Sequence, residues 1–175
     1  LVLSDFRPVE LTEGVACDGE ISYNDKEVKE ETADDVFEEY LKNKKQALFF
    51  LNSRKRTESV AKKLCRQTDP VLSETDKEKL VKVSEKILNV LEQPTQQCST
   101  LAECITHGSA FHHAGLMPKQ KELVEENFRA GHIKSISATT TVAAGVNLPA
   151  DIVFIPTLYR YGDYGMELIS VREYK

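Results

Sequence analysis

The chain has 175 residues, 41% apolar and 29% charged, enough for one domain with a substantial core and too few for a second full one. No apolar run approaches the length of a bilayer crossing and no basic-then-apolar leader is present, so membrane insertion and secretion have no support. The net charge of -5 argues against a polyanion partner only on average: residues 1–43 carry 13 acids and 4 bases, net -9, whereas residues 44–175 carry 15 acids and 19 bases, net +4.

The chain opens at Leu1 rather than Met, and the expectation is a piece of a larger protein. Up to about Val28, short apolar alternations around Pro8, Gly14 and Gly19 predict a connector and a small strand pair, Gly14–Cys17 with Glu20–Tyr23. Thr32 and Asp35 form a capping-box pattern with Asp in place of Glu, and Val36, Phe37, Tyr40 and Leu41 fall on one face of a helix over about 33–43. Ala47-Leu-Phe-Phe-Leu is the continuous apolar run of a parallel strand buried on both faces. Ser53 then caps a helix whose apolar stripe is Val60, Ala61, Leu64 and Cys65. Lys44, Lys45, Arg54, Lys55, Arg56, Lys62, Lys63 and Arg66 crowd the same region, a pattern that suits either a basic surface or a solvated helix face.

A long helix over about 74–92 turns Leu80, Val81, Val83, Ile87, Leu88 and Leu91 inward and ends before Pro94; a shorter one covers Thr100–Thr106. Ser109-Ala-Phe-His is a short strand, and Pro118 starts a helix that buries Leu123, Val124 and Phe128 and closes at Gly131. Strands over 133–138 and from Asp151 bracket the hydroxyl-rich Thr139–Asn147. Strands alternating with helices predict an α/β fold, a mostly parallel sheet with helices on both faces.

Ligands of such sheets bind beyond the carboxyl ends of the strands, where three polar loops fall: Asn52-Ser-Arg-Lys-Arg, His112-His-Ala-Gly-Leu and Thr139 to Asn147. Hydroxyls, exposed helix N-termini and scattered cations, with no acidic cluster, suit a sugar-phosphate backbone held without regard to sequence. Thr139, Thr140 and Thr141 offer neutral hydrogen bonds, Gly145 permits close backbone approach, and Asn147 both donates and accepts. Cys98, Cys104, His107 and His112 lack the spacing of a zinc knuckle, so no metal site is expected. No cysteine sits in an electropositive loop after a strand, as a Cys-His nucleophile requires; Cys17, Cys65, Cys98 and Cys104 are expected to be free thiols.

Leu48-Phe-Phe-Leu-Asn-Ser-Arg-Lys-Arg resembles motif IV of superfamily 2 helicases, Phe111-His-His-Ala-Gly-Leu motif IVa, and Ala138-Thr-Thr-Thr-Val-Ala-Ala-Gly-Val-Asn-Leu-Pro-Ala motif V. Together they resemble the second RecA-like domain, of P-loop NTPase type, in Ski-type helicases. Ser4-Asp-Phe-Arg-Pro-Val and the tail from Leu158 are most similar to the archaeal Holliday-junction-migration repair helicases. The resemblance implies a connector and strand pair from a preceding domain over 1–28 and the RecA-like lobe over 29–175, ending before the arginine-rich motif VI.

It further implies nucleic-acid contacts at Asn52, Ser53, Arg54, His112, His113, Gly115, Thr139 and Thr140, with Gly145 and Asn147 facing nucleotide and partner domain. It implies a strand-separating β-hairpin with Arg160, Tyr161 and Tyr164, whose Gly162-Asp-Tyr-Gly turn and aromatic flanks suit such an element. The implied partners are single-stranded and branched DNA, the first RecA-like domain and C-terminal domains of the same protein, and no membrane. The implied cofactors are ATP and Mg2+, bound mainly by that first domain, since the chain has no Gly-x-x-x-x-Gly-Lys-Ser/Thr and no Asp-Glu-x-His box. The fragment alone is therefore expected to be inactive. The expected setting is intracellular, cytoplasmic in an archaeon and nuclear in a eukaryote. Two other readings fit the residues: the same lobe of an RNA helicase, and a non-catalytic module whose acidic first third docks a basic partner.

Overall fold

The computed structural model describes residues 11–24, 27–139, 148–162 and 165–168. They fall into two compact units divided between Glu39 and Tyr40. In the first, β1 (Gly14–Cys17), β2 (Glu20–Tyr23) and β3 (Val28–Lys29) form an antiparallel sheet in that order. Cys17 pairs with Glu20, so Asp18 and Gly19 alone make the turn, with φ of 50° and 86°. Both positive angles match the twist of a two-residue hairpin, which is why Asp-Gly stands there. The two-residue β3 is too short to leave a sequence pattern. Thr32 and Asp35 cap α1 (Ala33–Lys42) reciprocally: the Thr32 N–H donates to the Asp35 carboxylate at 2.8 Å, and the Asp35 N–H to the Thr32 hydroxyl at 3.2 Å.

The second unit is built on four parallel strands, β4 (Ala47–Leu51), β5 (Ser109–His112), β6 (Ser135–Thr139) and β7 (Ile152–Phe154), in the order β5-β6-β4-β7. Helices α2 (Arg54–Thr68), α3 (Glu74–Leu88), α4 (Gln96–Thr106) and α5 (Pro118–Arg129) flank it, an α/β arrangement of RecA-like type. Their apolar stripes, including Ala61, Leu80, Ile87, Leu101, Ile105, Val124 and Phe128, bury a continuous core with Leu48, Phe111, Ile136 and Ala138 of the strands. Phe49 stacks on Phe154 of the neighbouring β7, with ring centroids 4.7 Å apart.

Several boundaries differ from the sequence expectation. Helix α3 stops at Leu88, where Asn89 caps it, and α4 starts at Gln96 because the Thr95 hydroxyl accepts the Cys98 N–H at 3.3 Å. Val81, expected inward, is exposed, since the buried stripe runs through Leu80, Val83 and Ile87. A 3-10 turn over Asp69–Val71, with Pro70 in its first turn, separates α2 from α3. The four cysteines are free. Strands β8 (Tyr159–Gly162) and β9 (Gly165–Leu168) form the expected antiparallel hairpin near the C-terminus, Gly162 pairing with Gly165. Among the described residues no helix is long and apolar enough to cross a membrane.

The base of the sheet is tied by one amide. Gln46 Nε2 donates to the carbonyls of Phe128 at 2.7 Å and Ile133 at 2.6 Å, while the Gln46 N–H donates to the Asp151 carboxylate at 2.7 Å. These bonds join the starts of β4, β6 and β7, so the strands run out together to the opposite edge.

Candidate nucleic-acid interface

Strand register decides which residues share that edge. Leu51 pairs with Thr139, and His112 pairs with Ala138, so β4, β5 and β6 end level with one another. The three segments singled out by sequence, lying 52, 112 and 139 residues along the chain, thus emerge side by side. Thr139 is half-buried as the last residue of β6. Thr140, Gly145 and Asn147 lie outside the described residues, as does Tyr164. Arg160 and Tyr161 pair in backbone register with Glu167 and Met166 of the hairpin, and Tyr159 and Leu168 at its base are exposed.

Ser53 has extended backbone, φ -153° and ψ 151°, and its hydroxyl accepts the Arg56 N–H at 3.4 Å as N-cap of α2. Arg54 begins the helix and is exposed. Its guanidinium reaches across to the loop after β5: a Cβ on Gly115 would lie 3.4 Å from Arg54 Nη1 and 3.0 Å from His113 Nδ1. Glycine at 115 is therefore what allows Arg54, His113 and this backbone to approach so closely.

The two histidines are buried and used internally. The Gly115 N–H donates to His113 Nδ1 at 3.1 Å, which places the ring proton on Nε2, facing Glu58 Oε1 at 3.3 Å. Gln97 Nε2 donates to the same carboxylate oxygen at 2.8 Å. The ring stacks on Phe111, centroids 5.5 Å apart and planes 10° from parallel. Burial pushes the His113 pKa down despite the opposing pull of Glu58, with Arg54 adding to the decrease, and the imidazole is neutral. His112 repeats the pattern: Nε2 meets Glu125 Oε1 at 2.8 Å, Arg129 donates to the other oxygen of Glu125 at 3.1 Å, and burial again depresses the ring's pKa.

Among the described residues, His112 Nδ1, Asn52 Oδ1 and Ser137 Oγ are buried without a hydrogen-bond partner, all on or just beyond the three strands that end here. The sequence reading missed Glu58, Gln97 and Glu125, the braces behind the loops. Glu58, four residues after Arg54, has the spacing of an ordinary surface ion pair, and Gln97 precedes the helix expected over Thr100–Thr106; the Thr95 cap is the sequence signal that places Gln97 inside α4. Among the described residues no group of three or more His, Cys, Asp or Glu is placed to hold a metal ion.

The brace gives a direct expectation. Glu58→Ala strands the buried His113 Nε2–H and should cost about 1–3 kcal/mol in urea unfolding, whereas Glu58→Gln keeps an acceptor oxygen and should recover most of it. Equal losses in both variants would mean that the carboxylate's charge, not its hydrogen bond, holds the ring.

No family model matches the chain. Three curated proteins named ATP-dependent DNA helicase Hel308 are similar to it along its length. That of Methanocella arvoryzae is 39% identical over 181 residues, spanning 100% of this chain and 24% of the relative. That of Pyrococcus horikoshii is 36% identical over 174 residues, 99% of this chain and 24% of the relative. That of Thermoplasma volcanium is 36% identical over 175 residues, 100% and 24%. The chain thus spans about a quarter of the length of the curated relatives it matches. With this similarity running end to end, and with the helicase-like segments 52–54, 112–115 and 139 level on one sheet edge, the chain belongs to the Hel308-type superfamily 2 helicases.

Proposed function

We propose that this chain is the second RecA-like motor domain of an ATP-dependent DNA helicase that moves 3' to 5' along one strand and acts on branched or forked DNA in repair and recombination. The observation that carries the reading is the register that brings Asn52–Arg54, His113–Gly115 and Thr139 to one edge; the relatives' name supports DNA as the substrate. Asn52, the Ser53 cap, Arg54 and the Thr139 hydroxyl hold the strand's phosphates. The buried His113 ring acts on the strand indirectly, by holding the Gly115 N–H and so the backbone of this loop beside Arg54. The β8–β9 hairpin, with Arg160, Tyr161 and Tyr164, parts the duplex ahead of the gripped strand.

The residues present do not form an ATP site unaided. The chain has no phosphate-cradling Gly-rich motif, so ATP and Mg2+ bind chiefly on the first RecA-like domain of the whole protein, and Gly145 and Asn147 face them from this side. ATP supplies the free energy that favours closure of the two lobes; this chain converts closure into a changed hold on the backbone. Hydrolysis belongs to the pair of lobes rather than to this one.

In the full-length protein, Thr139→Ala removes one neutral hydrogen bond to phosphate and should weaken single-stranded DNA binding several-fold, about 1 kcal/mol, together with a lower DNA-stimulated ATPase. Fluorescence anisotropy with matched DNA and RNA oligonucleotides measures it. Unchanged binding would favour a scaffold that docks a protein, and tighter binding of the RNA would move the assignment to an RNA helicase.

A further inference from the structure

The basic cluster noted in the sequence becomes a stripe once α2 is formed. Thr57, Ala61, Leu64 and Thr68 are its buried positions, and Lys55, Arg56, Lys62, Lys63 and Arg66 all lie on the opposite, exposed side, interrupted only by Ser59. None of the five makes an ion pair among the described residues. The contrast with the neighbouring helices is sharp: α3 interleaves Lys77, Lys79, Lys82 and Lys86 with Glu74, Glu78 and Glu85, and α5 pairs Lys119 with Glu122 and Arg129 with Glu125. In α2 the one acid of the helix, Glu58, is turned aside to His113 and Gln97.

Placement at the start of the helix adds to the charge. Arg54, Lys55 and Arg56 occupy the first turn, which contains no acid, so they stand where the helix dipole is already positive and disfavours cations. A protein of net charge -5 holds five uncompensated cations on one face of a helix, two of them in the first turn against that cost. From Lys55 to Arg66 the row is about 16 Å long at about 1.5 Å per residue. That length passes roughly five phosphates of one strand at about 3.4 Å each along a duplex. Its first residues adjoin the edge where β4, β5 and β6 end.

We infer that the exposed face of α2 is a second nucleic-acid contact, a track of Lys55, Arg56, Lys62, Lys63 and Arg66 that holds the DNA backbone where it runs past the strand-gripping edge. The inference rests on the DNA-binding reading above and extends it to residues outside the helicase-like segments. Such a contact is sequence-blind, works through counterion release, and adds affinity without touching the chemistry of the lobes. Bound polyanion also relieves the crowding of cations at the start of α2.

The test uses the full-length protein with Lys62→Gln, Lys63→Gln and Arg66→Gln combined, substitutions that keep helix propensity and lie on solvent-exposed positions. The control is Lys79→Gln, Lys82→Gln and Lys86→Gln on α3, which removes the same charge elsewhere. Dissociation constants for a labelled single strand and for a blunt duplex are measured by anisotropy across a salt titration. The α2 variant should bind on the order of tenfold more weakly at about 100 mM salt, with the log–log salt slope reduced by about 2, three contacts at about 0.7–0.9 each. The α3 control should match the parent. A change confined to one oligonucleotide assigns the track to that form of DNA. An α2 variant indistinguishable from the α3 control, in a parent that binds DNA and loses affinity on Thr139→Ala, overturns the track while leaving the helicase reading intact, and leaves this face to an acidic protein partner. A parent that binds neither oligonucleotide overturns both.

Discussion

Phe111→Ala is expected to lower the unfolding free energy by about 3–5 kcal/mol, the largest single-residue effect anticipated in this chain. Phe111 is fully buried within the core shared by the strands and by α2 to α5. Its removal leaves a cavity that a close-packed interior fills only in part. The same ring is the platform for His113, so the loss travels directly to the candidate interface. Without the stack, the imidazole that receives the Gly115 N–H and faces Glu58 is held by hydrogen bonds alone. Urea unfolding measures the stability, and hydrogen exchange at Gly115 measures the loosening. Phe111→Leu, which restores much of the volume but not the flat face, should recover stability better than it recovers protection at Gly115. Parallel recovery of both would show that packing volume rather than ring stacking positions the loop.

Acid should destabilise the fold in two steps that begin at different pH values. Asp76 in the first turn of α3 accepts from Ser73 at 2.8 Å, meets His132 Nδ1 at 2.9 Å and receives Lys134 Nζ at 3.3 Å. Burial alone would raise its pKa, but the bonds from His132 and Ser73 and the Lys134 ammonium outweigh it and hold the carboxyl at about 2, against an ordinary 3.8. A depressed carboxyl contributes stability above its unfolded value and loses it as pH falls through the folded one. The shift is worth about 2 kcal/mol, at about 1.36 kcal/mol per unit, and is lost between about pH 4 and pH 2. His112 and His113, kept neutral by burial, act earlier: their depressed pKa values mean that stability begins to fall as pH drops below the ordinary 6.5. Asp76→Asn should therefore cost about 2 kcal/mol at pH 7 and flatten the acid-most limb of the stability curve, leaving the upper limb unchanged. A variant with the parent's acid limb would mean that the Ser73–His132–Lys134 cluster contributes nothing net.

Much of this protein was legible in its sequence because the signals are local. The Asp18-Gly19 turn, the Thr32–Asp35 cap, the doubly buried Ala47–Leu51 and the Ser53 cap each follow from a few neighbouring residues. What failed locally failed for identifiable reasons: Val81 has helical spacing for either side of α3, and only packing chose Leu80 and Val83 instead. The composition of the three polar loops showed that they suit phosphate. That they stand level depends on strand order β5-β6-β4, with Ser109 paired to Ser135 and Ala47 to the same Ser135 far along the chain, pairings that no local pattern encodes. The roles of the two histidines were likewise decided in three dimensions. The resemblance implies nucleic-acid contacts at His112 and His113, yet tertiary packing buries both rings and sets the Nε2 of each against a carboxylate, Glu125 from α5 and Glu58 from α2. Charge followed the same division: the sequence by itself determined that α2 is rich in cations, because composition is a property of the chain. Only the folded structure decided that five of them share one uncompensated face, because burial selects which side of a helix turns inward and thereby which side is left to meet a partner.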